Sequence, residues 1–406
     1  MKKLPNRFDK HIYERSRNVI AQGALTNSRR PECFVWGSYP THLTSSQGCR
    51  TIDTSGHSYI DFIMGLGSSI LGHAHPEVVE AVRAQAYRGF NHSLGSELEV
   101  KMGEKLCELF PFIKRVKLLK TGTEACLASI RIARGHTKRW KVLSAGYHGW
   151  GDEFISLTPP ATGIVPQSQV STFQHIDQIT EDVAAVIIEP VQTDFSESRI
   201  DYLRQLREIC SEKGVMLIFD EIITGFRVPK FSVASMIGVQ PDLILFGKAI
   251  GGGLPLSVVG GSAEIMEGSD YFVSSTFAGE QLSIAAGLKT IELLQTKYDI
   301  GRLWKRSAAF INYFNAICPE KIGIQGYPTR GVFIAPNPLD KALLFEAAIE
   351  SGIMFGSSFF TSFAHLDSFE LAENICFDIL NRLKRNELHL FGLPPVSPFA
   401  EKIRNN

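Results

Sequence analysis

Two short runs, VMLIFD (215–220) and DLILFG (242–247), decide how this chain folds. Each is apolar almost throughout, without the polar alternation of a half-exposed strand. A strand buried on both faces reads this way. The segment before the first run, IDYLRQLREICSEKG (200–214), has helical apolar spacing and a glycine at its stop. The same alternation extends in both directions. RVKLLK (115–120), KVLSA (141–145) and AAVIIE (184–189) read as strands, and Glu124 to Arg134 and 279–295 read as helices. Continuous apolar strands between helices predict an α/β fold, with a mostly parallel sheet flanked by helices.

The ends of the chain have a different character. TIDTSGHSYIDFI (51–63) is a hairpin pattern turning at Thr54-Ser55-Gly56, and Pro76 opens a helical run. After about residue 298, a strand-like Val332-Phe333-Ile334 stands between helical stretches, with helices expected over 339–352 and 369–386. The expected organisation is a smaller α+β domain made from residues 1–65 and 298–406, around a large domain spanning 66–297.

Composition narrows the classes of partner. The chain has 406 residues, 44% hydrophobic, with 42 Lys+Arg against 42 Asp+Glu. A net charge of zero without a basic run argues against nucleic acid or an anionic membrane surface as the main partner. No stretch approaches the roughly 18 apolar residues of a membrane span. The opening residues carry two lysines but no apolar run behind them, so a cytoplasmic location is expected. Seven cysteines without a CxxC pair suggest reduced thiols and no metal site.

In an open parallel sheet, ligands bind at the carboxyl ends of the strands. Those ends offer Asp220, Lys248, the Thr121-Gly122-Thr123 helix start, and Tyr147-His148-Gly149-Trp150. Singly, each has an ordinary reading. Lys248 could be a lysine at the sheet margin, Asp220 a solvated acid, and Glu124 a partner of a helix dipole. A phosphate loop of the nucleotide-hydrolase kind fails, because Asp242 stands where its first glycine belongs and Ala249 where it needs Ser or Thr. A dinucleotide fingerprint fails at Gly65-Leu66-Gly67, which lacks the third glycine. His73 and His75 lack the carboxylate or thiol company of a metal site.

Together, the strand ends meet the needs of pyridoxal 5'-phosphate. Its aldehyde needs an amine, its ring nitrogen a carboxylate, its ring face a flat partner, and its phosphate N–H donors. Here the sequence resembles the class III pyridoxal-phosphate aminotransferases of fold type I, and within them the glutamate-1-semialdehyde aminomutase branch. The motifs that carry the resemblance occur in order: YIDFIMGLGSSILGHAHP, KTGTEACLASIRIARG, GYHGW, IIEPV, FDEIITGFRV, FGKAIGGGLP and SSTFAGE.

The resemblance implies roles. Lys248 would bind the cofactor covalently and shuttle the proton, Asp220 would pair with the ring nitrogen, and Tyr147 would lie over the ring. Gly122 and Thr123 would hold the phosphate, with His148 and Glu189 beside the cofactor. Thr276 would reach the phosphate of a second subunit in a homodimer. Arg227 is expected to be structural. Arg29, Arg30, Leu66, Trp150 and Thr361 are the expected substrate contacts.

Three departures from the aminomutase pattern bear on the reaction. The segment after GYHGW is shorter and lacks the glycine-rich gate, Thr361 replaces a glutamate, and Leu66 replaces a tryptophan. Loss of the gate favours release of the intermediate, and the changes at Thr361 and Leu66 point away from the mutase substrate. The expectation is a ping-pong aminotransferase with an amino acid donor, glutamate first, and a carbonyl acceptor that could be sugar-like or phosphorylated. The alternatives are the 2,1-aminomutase itself and a non-catalytic protein that binds the cofactor.

Overall fold

The computed structural model describes residues 7–158, 163–165, 169–268, 270–319 and 322–396. The chain forms two compact units. Unit 1 takes the chain up to Leu66, Leu71–His75 and the chain from Arg302 onward; unit 2 takes Gly67–Ile70 and Pro76–Gly301.

Unit 1 opens with strands β1 (Leu43–Gln47), β2 (Arg50–Asp53) and β3 (Ser58–Asp61). Unit 2 supplies β4 (Arg115–Leu119), β5 (Lys141–Ala145), β6 (Val170–Thr172), β7 (Val183–Ile188), β8 (Met216–Glu221), β9 (Leu243–Phe246) and β10 (Ser257–Gly261). Unit 1 closes with β11 (Gly323–Tyr327), β12 (Arg330–Ile334), β13 (Ile353–Met354) and β14 (Ser358–Phe360).

In unit 2 the seven strands form one sheet in the order β4-β10-β9-β8-β7-β5-β6. All pairs from β9 through β6 are parallel. β10 is antiparallel to both neighbours, so β4 runs with the parallel set. The strands expected at 115–120, 141–145, 184–189, 215–220 and 242–247 are all present within a residue or so. The sheet is mixed because of β10, whose SVVGG pattern the sequence reading did not recognise. Every residue of β7, β8 and β9 is buried, which is why these runs carry no alternation.

Unit 1 is an α+β body. β1, β2, β3 and β13 form one sheet and β11, β12 and β14 another. The predicted hairpin is real: β2 and β3 pair antiparallel across Thr54-Ser55-Gly56. Its core is a stack of rings. Phe62 lies 4.8 Å from Phe359 and 4.4 Å from the His365 imidazole, with Phe310 5.5 Å from Phe359.

His365 is buried among these rings, and its ring nitrogens contact the Asp61 carbonyl at 3.0 Å and the Ser362 hydroxyl at 2.9 Å. Burial draws its pKa down to about 4. The unfolded chain takes up that proton near pH 6.5, the folded chain only near 4. The imidazole's contribution is therefore full above pH 6.5 and is lost as the pH falls toward 4, by about 3 kcal/mol. Urea unfolding at neutral and mildly acidic pH should show this extra acid sensitivity in the wild type and not in His365→Phe. Equal pH dependence in the two proteins would contradict it.

Candidate active site

The parallel strands of unit 2 all release the chain at one edge of the sheet, and the polar residues of interest stand there. Asp220 is the penultimate residue of β8. Lys248 follows β9, whose Phe246 is in register with Glu221. Tyr147 and His148 follow β5, whose Ala145 is in register with Ile188, so Glu189 stands beside them. Thr121 follows β4 and caps the helix Gly122–Thr137.

Asp220 is buried and fully engaged. His148 Nδ1 lies 2.7 Å from its Oδ2, the Cys126 thiol 3.4 Å from the same oxygen, and the Ile222 N–H donates to Oδ1 at 3.0 Å. With Nδ1 engaged by the carboxylate, Nε2 is the ring nitrogen of His148 that remains. That nitrogen is buried without a hydrogen-bond partner among the described residues. Burial, then the Asp220 charge, push the Cys126 thiol well up. The ligand atoms of Cys126, His148 and Asp220 lie within 4.8 Å of one another, close enough to suggest a metal. The contacts themselves, a thiol S–H and an imidazole ring nitrogen on one carboxylate oxygen, have hydrogen-bond geometry. The trio is a carboxylate receiving hydrogen bonds.

Alternation sends the next carboxylate to the other face. Glu221 accepts from the N–H groups of Val233 and Ala234 at 2.7 and 2.9 Å and from the Thr224 hydroxyl at 2.8 Å. Complete burial pushes its pKa up to about 7 against those donors. It anchors a short helix, while Asp220 faces the site.

Lys248 has a φ of 45°, a left-handed conformation that costs a lysine about 1–3 kcal/mol and marks functional positions. Its charge favours the ionised forms of Glu189 and Cys126, placing the amine electrically beside the Asp220 cluster. Burial first, then Asp220, raise the Glu189 pKa. Glu189 accepts the Tyr147 N–H at 2.8 Å. It thereby fixes the loop that presents the Tyr147 ring, which is half-exposed.

The helix start is a phosphate-ready end. Thr121 accepts from the Glu124 N–H at 3.2 Å and Glu124 accepts from the Thr121 N–H at 2.8 Å, a reciprocal cap. Gly122 and Thr123 hold the first two helical positions, whose N–H groups have no intrahelical acceptor. The Trp150 N–H reaches Thr123 Oγ1 at 3.4 Å, and the indole itself is exposed. Gly149 makes this approach possible: its φ is +96°, and a Cβ there would collide with Thr123. Thr276 lies on an exposed turn held by Asn91 Nδ2 at 3.2 Å. Arg227 is fully buried and donates to the Gly67 carbonyl, a packing role.

The remaining expected contacts belong to unit 1. Arg29 is exposed, and Arg30 is buried with no partner for its Nε among the described residues. Leu66 lies at a φ of 59° and is half-buried. Thr361 is buried and its hydroxyl accepts from Ser307 at 2.8 Å. His73 Nε2 pairs with the Asp61 carboxylate at 2.8 Å. Sequence reading missed Cys126. The available signal was its place one helical turn after Gly122, on the face the sheet buries.

Comparison with known proteins decides the family. The family described as Aminotransferase class-III matches residues 36–384. The chain belongs to the class III aminotransferases. A glutamate-1-semialdehyde 2,1-aminomutase of Chloroherpeton thalassium is 34% identical over 382 residues, 86% of this chain and 88% of the relative. One of Syntrophobacter fumaroxidans is 32% identical over 406 residues, covering 87% and 92%. Among solved structures, the Sphingopyxis sp. MTA144 FumI protein superposes with a TM-score of 0.86 at 22% identity, covering 93% of this chain and 97% of that one. The glutamate-1-semialdehyde aminomutase of Pseudomonas aeruginosa does so at 0.78 with 24% identity, covering 92% and 94%.

The cofactor of this family is pyridoxal phosphate, and the site's chemistry suits it. An amine, a carboxylate braced by an imidazole, an aromatic face and free first-turn N–H groups meet at one sheet edge. Gly149→Ala should test this packing. The substitution is expected to cost about 2 kcal/mol or more from backbone strain and the Thr123 clash. It should lower both the melting temperature and the affinity for the cofactor; unchanged values would contradict the geometry.

Proposed function

We propose that this chain moves an amino group on pyridoxal phosphate held by Lys248. The observation that carries the reading is the convergence of Lys248, the braced Asp220 and the Thr121-capped helix start at one edge of the sheet. Bound there, the cofactor supplies an aldehyde that exchanges amines and a ring that withdraws electrons. Lys248 Nζ tethers it and moves the proton at the substrate carbon. Asp220 sets a negative charge against a protonated ring nitrogen, and His148 and Cys126 hold that carboxylate in place. Tyr147 covers the ring, the Gly122 and Thr123 N–H groups take the phosphate, and Glu189 orders the Tyr147 loop.

The transfer has two possible endings. The names of the curated relatives support an internal one, the conversion of glutamate 1-semialdehyde by a 2,1-aminomutase. A ping-pong aminotransferase, with glutamate as donor and a sugar-like or phosphorylated carbonyl as acceptor, is supported by Leu66 and Thr361 in place of the aminomutase residues. The shortened segment after GYHGW includes residues 159–162 and 166–168, which lie outside the described residues. The enzyme loaded with the pyridoxamine form of the cofactor, given glutamate 1-semialdehyde alone, should accumulate 5-aminolevulinate over many turnovers if the internal ending is right. One turnover, resumed only on adding glutamate, would establish the aminotransferase. No turnover with any donor or carbonyl would defeat both.

A homodimer belongs to the same reading. Leu94, Phe272 and Phe277 are exposed, and they stand within four residues of Asn91 or Thr276, which a side-chain hydrogen bond joins. Apolar surface of this kind marks an interface, and a second copy would bring Thr276 to its cofactor phosphate. Phe277→Glu should shift sedimentation from dimer to monomer and weaken cofactor binding about tenfold. A wild-type monomer with full cofactor affinity would contradict the arrangement.

A further inference from the structure

Within unit 1 lies a cavity of about 330 Å³, in the size range that takes small organic molecules. Its volume accommodates on the order of ten heavy atoms. The lining includes Leu66 and Phe345, and its polar residues include Ser28, Ser357, Ser358, Cys33 and Lys341.

One wall is the C-terminal segment through Val396, and it is firmly built. Trp36 and Leu393 exchange N–H···O bonds of 3.0 and 2.9 Å, and the Val396 N–H donates to the Glu32 carbonyl at 2.9 Å. The buried Glu346 carboxylate accepts from the Phe391 and Gly392 N–H groups at 2.7 and 2.9 Å. The cavity is therefore a structured pocket.

Lys341 is the unusual group. Its ammonium lies 5.4 Å from the Phe345 ring centroid, and no carboxylate pairs with it among the described residues. Burial alone draws its pKa below the usual range, with no acid to offset the effect. A cation partly withdrawn from water without a counter-ion is costly. The ring face compensates only in part.

We propose that this cavity binds a small amphipathic organic anion, its carboxylate or phosphate paired with Lys341 and the serine hydroxyls, and its short apolar body against Leu66 and Phe345. A bare inorganic anion would leave the apolar walls uncovered. A neutral molecule of the same shape would leave the ammonium unpaired. The assignment rests on unit 1 alone; Leu66 is also an expected substrate contact, so Lys341 and the serines, which the proposed reaction does not use, set this site apart from it.

Calorimetric titration of the holoenzyme with hexanoate, butyl phosphate and 1-hexanol tests it. At least one of the two anions should bind saturably, and the tighter one identifies the head group. Hexanol should bind about tenfold more weakly than that anion, Lys341→Met should weaken the anion about tenfold, and Lys341→Arg should retain it. Absence of saturable binding below about 10 mM, equal binding of hexanol, or anion binding unmoved by Lys341→Met would overturn the proposal. Should Lys341→Met fail to fold, ¹³C-methylation of the lysines gives a second readout. The resonance missing from Lys341→Arg should move when the anion is added to the wild type; an unmoved resonance overturns the assignment.

Discussion

A single carboxylate organises the site. Asp220 stands near the end of a strand buried on both faces, where an unsupported charge would cost several kcal/mol. It is tolerated because His148, Cys126 and the Ile222 N–H all donate to it. Those donors come from three places: the loop after β5, the helix after β4, and the turn after β8. Holding the carboxylate therefore also fixes the loop that carries Tyr147 and the helix whose first turn offers N–H groups. A rigid constellation at the carboxyl edge of a sheet is what a cofactor with an aldehyde, a ring nitrogen and a phosphate requires.

Much of this was legible in sequence because burial writes a strong pattern. VMLIFD and DLILFG carry no alternation since both faces of β8 and β9 are covered, and the residues just beyond such strands are forced to the ligand edge. What was less legible depended on tertiary packing. SVVGG is short and ends in two glycines, so nothing local announces β10 or its reversed direction; pairing with β4 and β9 decides both. Glu221 follows Asp220 in sequence yet faces the opposite side, and its role appears only when the N–H groups of Val233 and Ala234 are seen to converge on it.

Unit 1 shows the same limit from the other side. Arg29 and Arg30 are indistinguishable in the string, yet one is exposed and the other buried. Thr361 carries no hint of its bond to Ser307. Lys341 reads as an ordinary residue of the helix expected over 339–352, and only the tertiary packing places it beside a cavity. Family membership extends the cofactor chemistry to this chain. The substrate depends on loops and pockets where a few side chains matter and the pattern of hydrophobicity says little.

Reduction of the loaded protein with borohydride, followed by peptide mapping, tests the central claim most directly. The account predicts a cofactor-sized adduct on the peptide containing Lys248, absent from Lys248→Ala and diminished in Asp220→Ala. An adduct on another lysine, or none on a protein shown to be folded and saturated with cofactor, would contradict it.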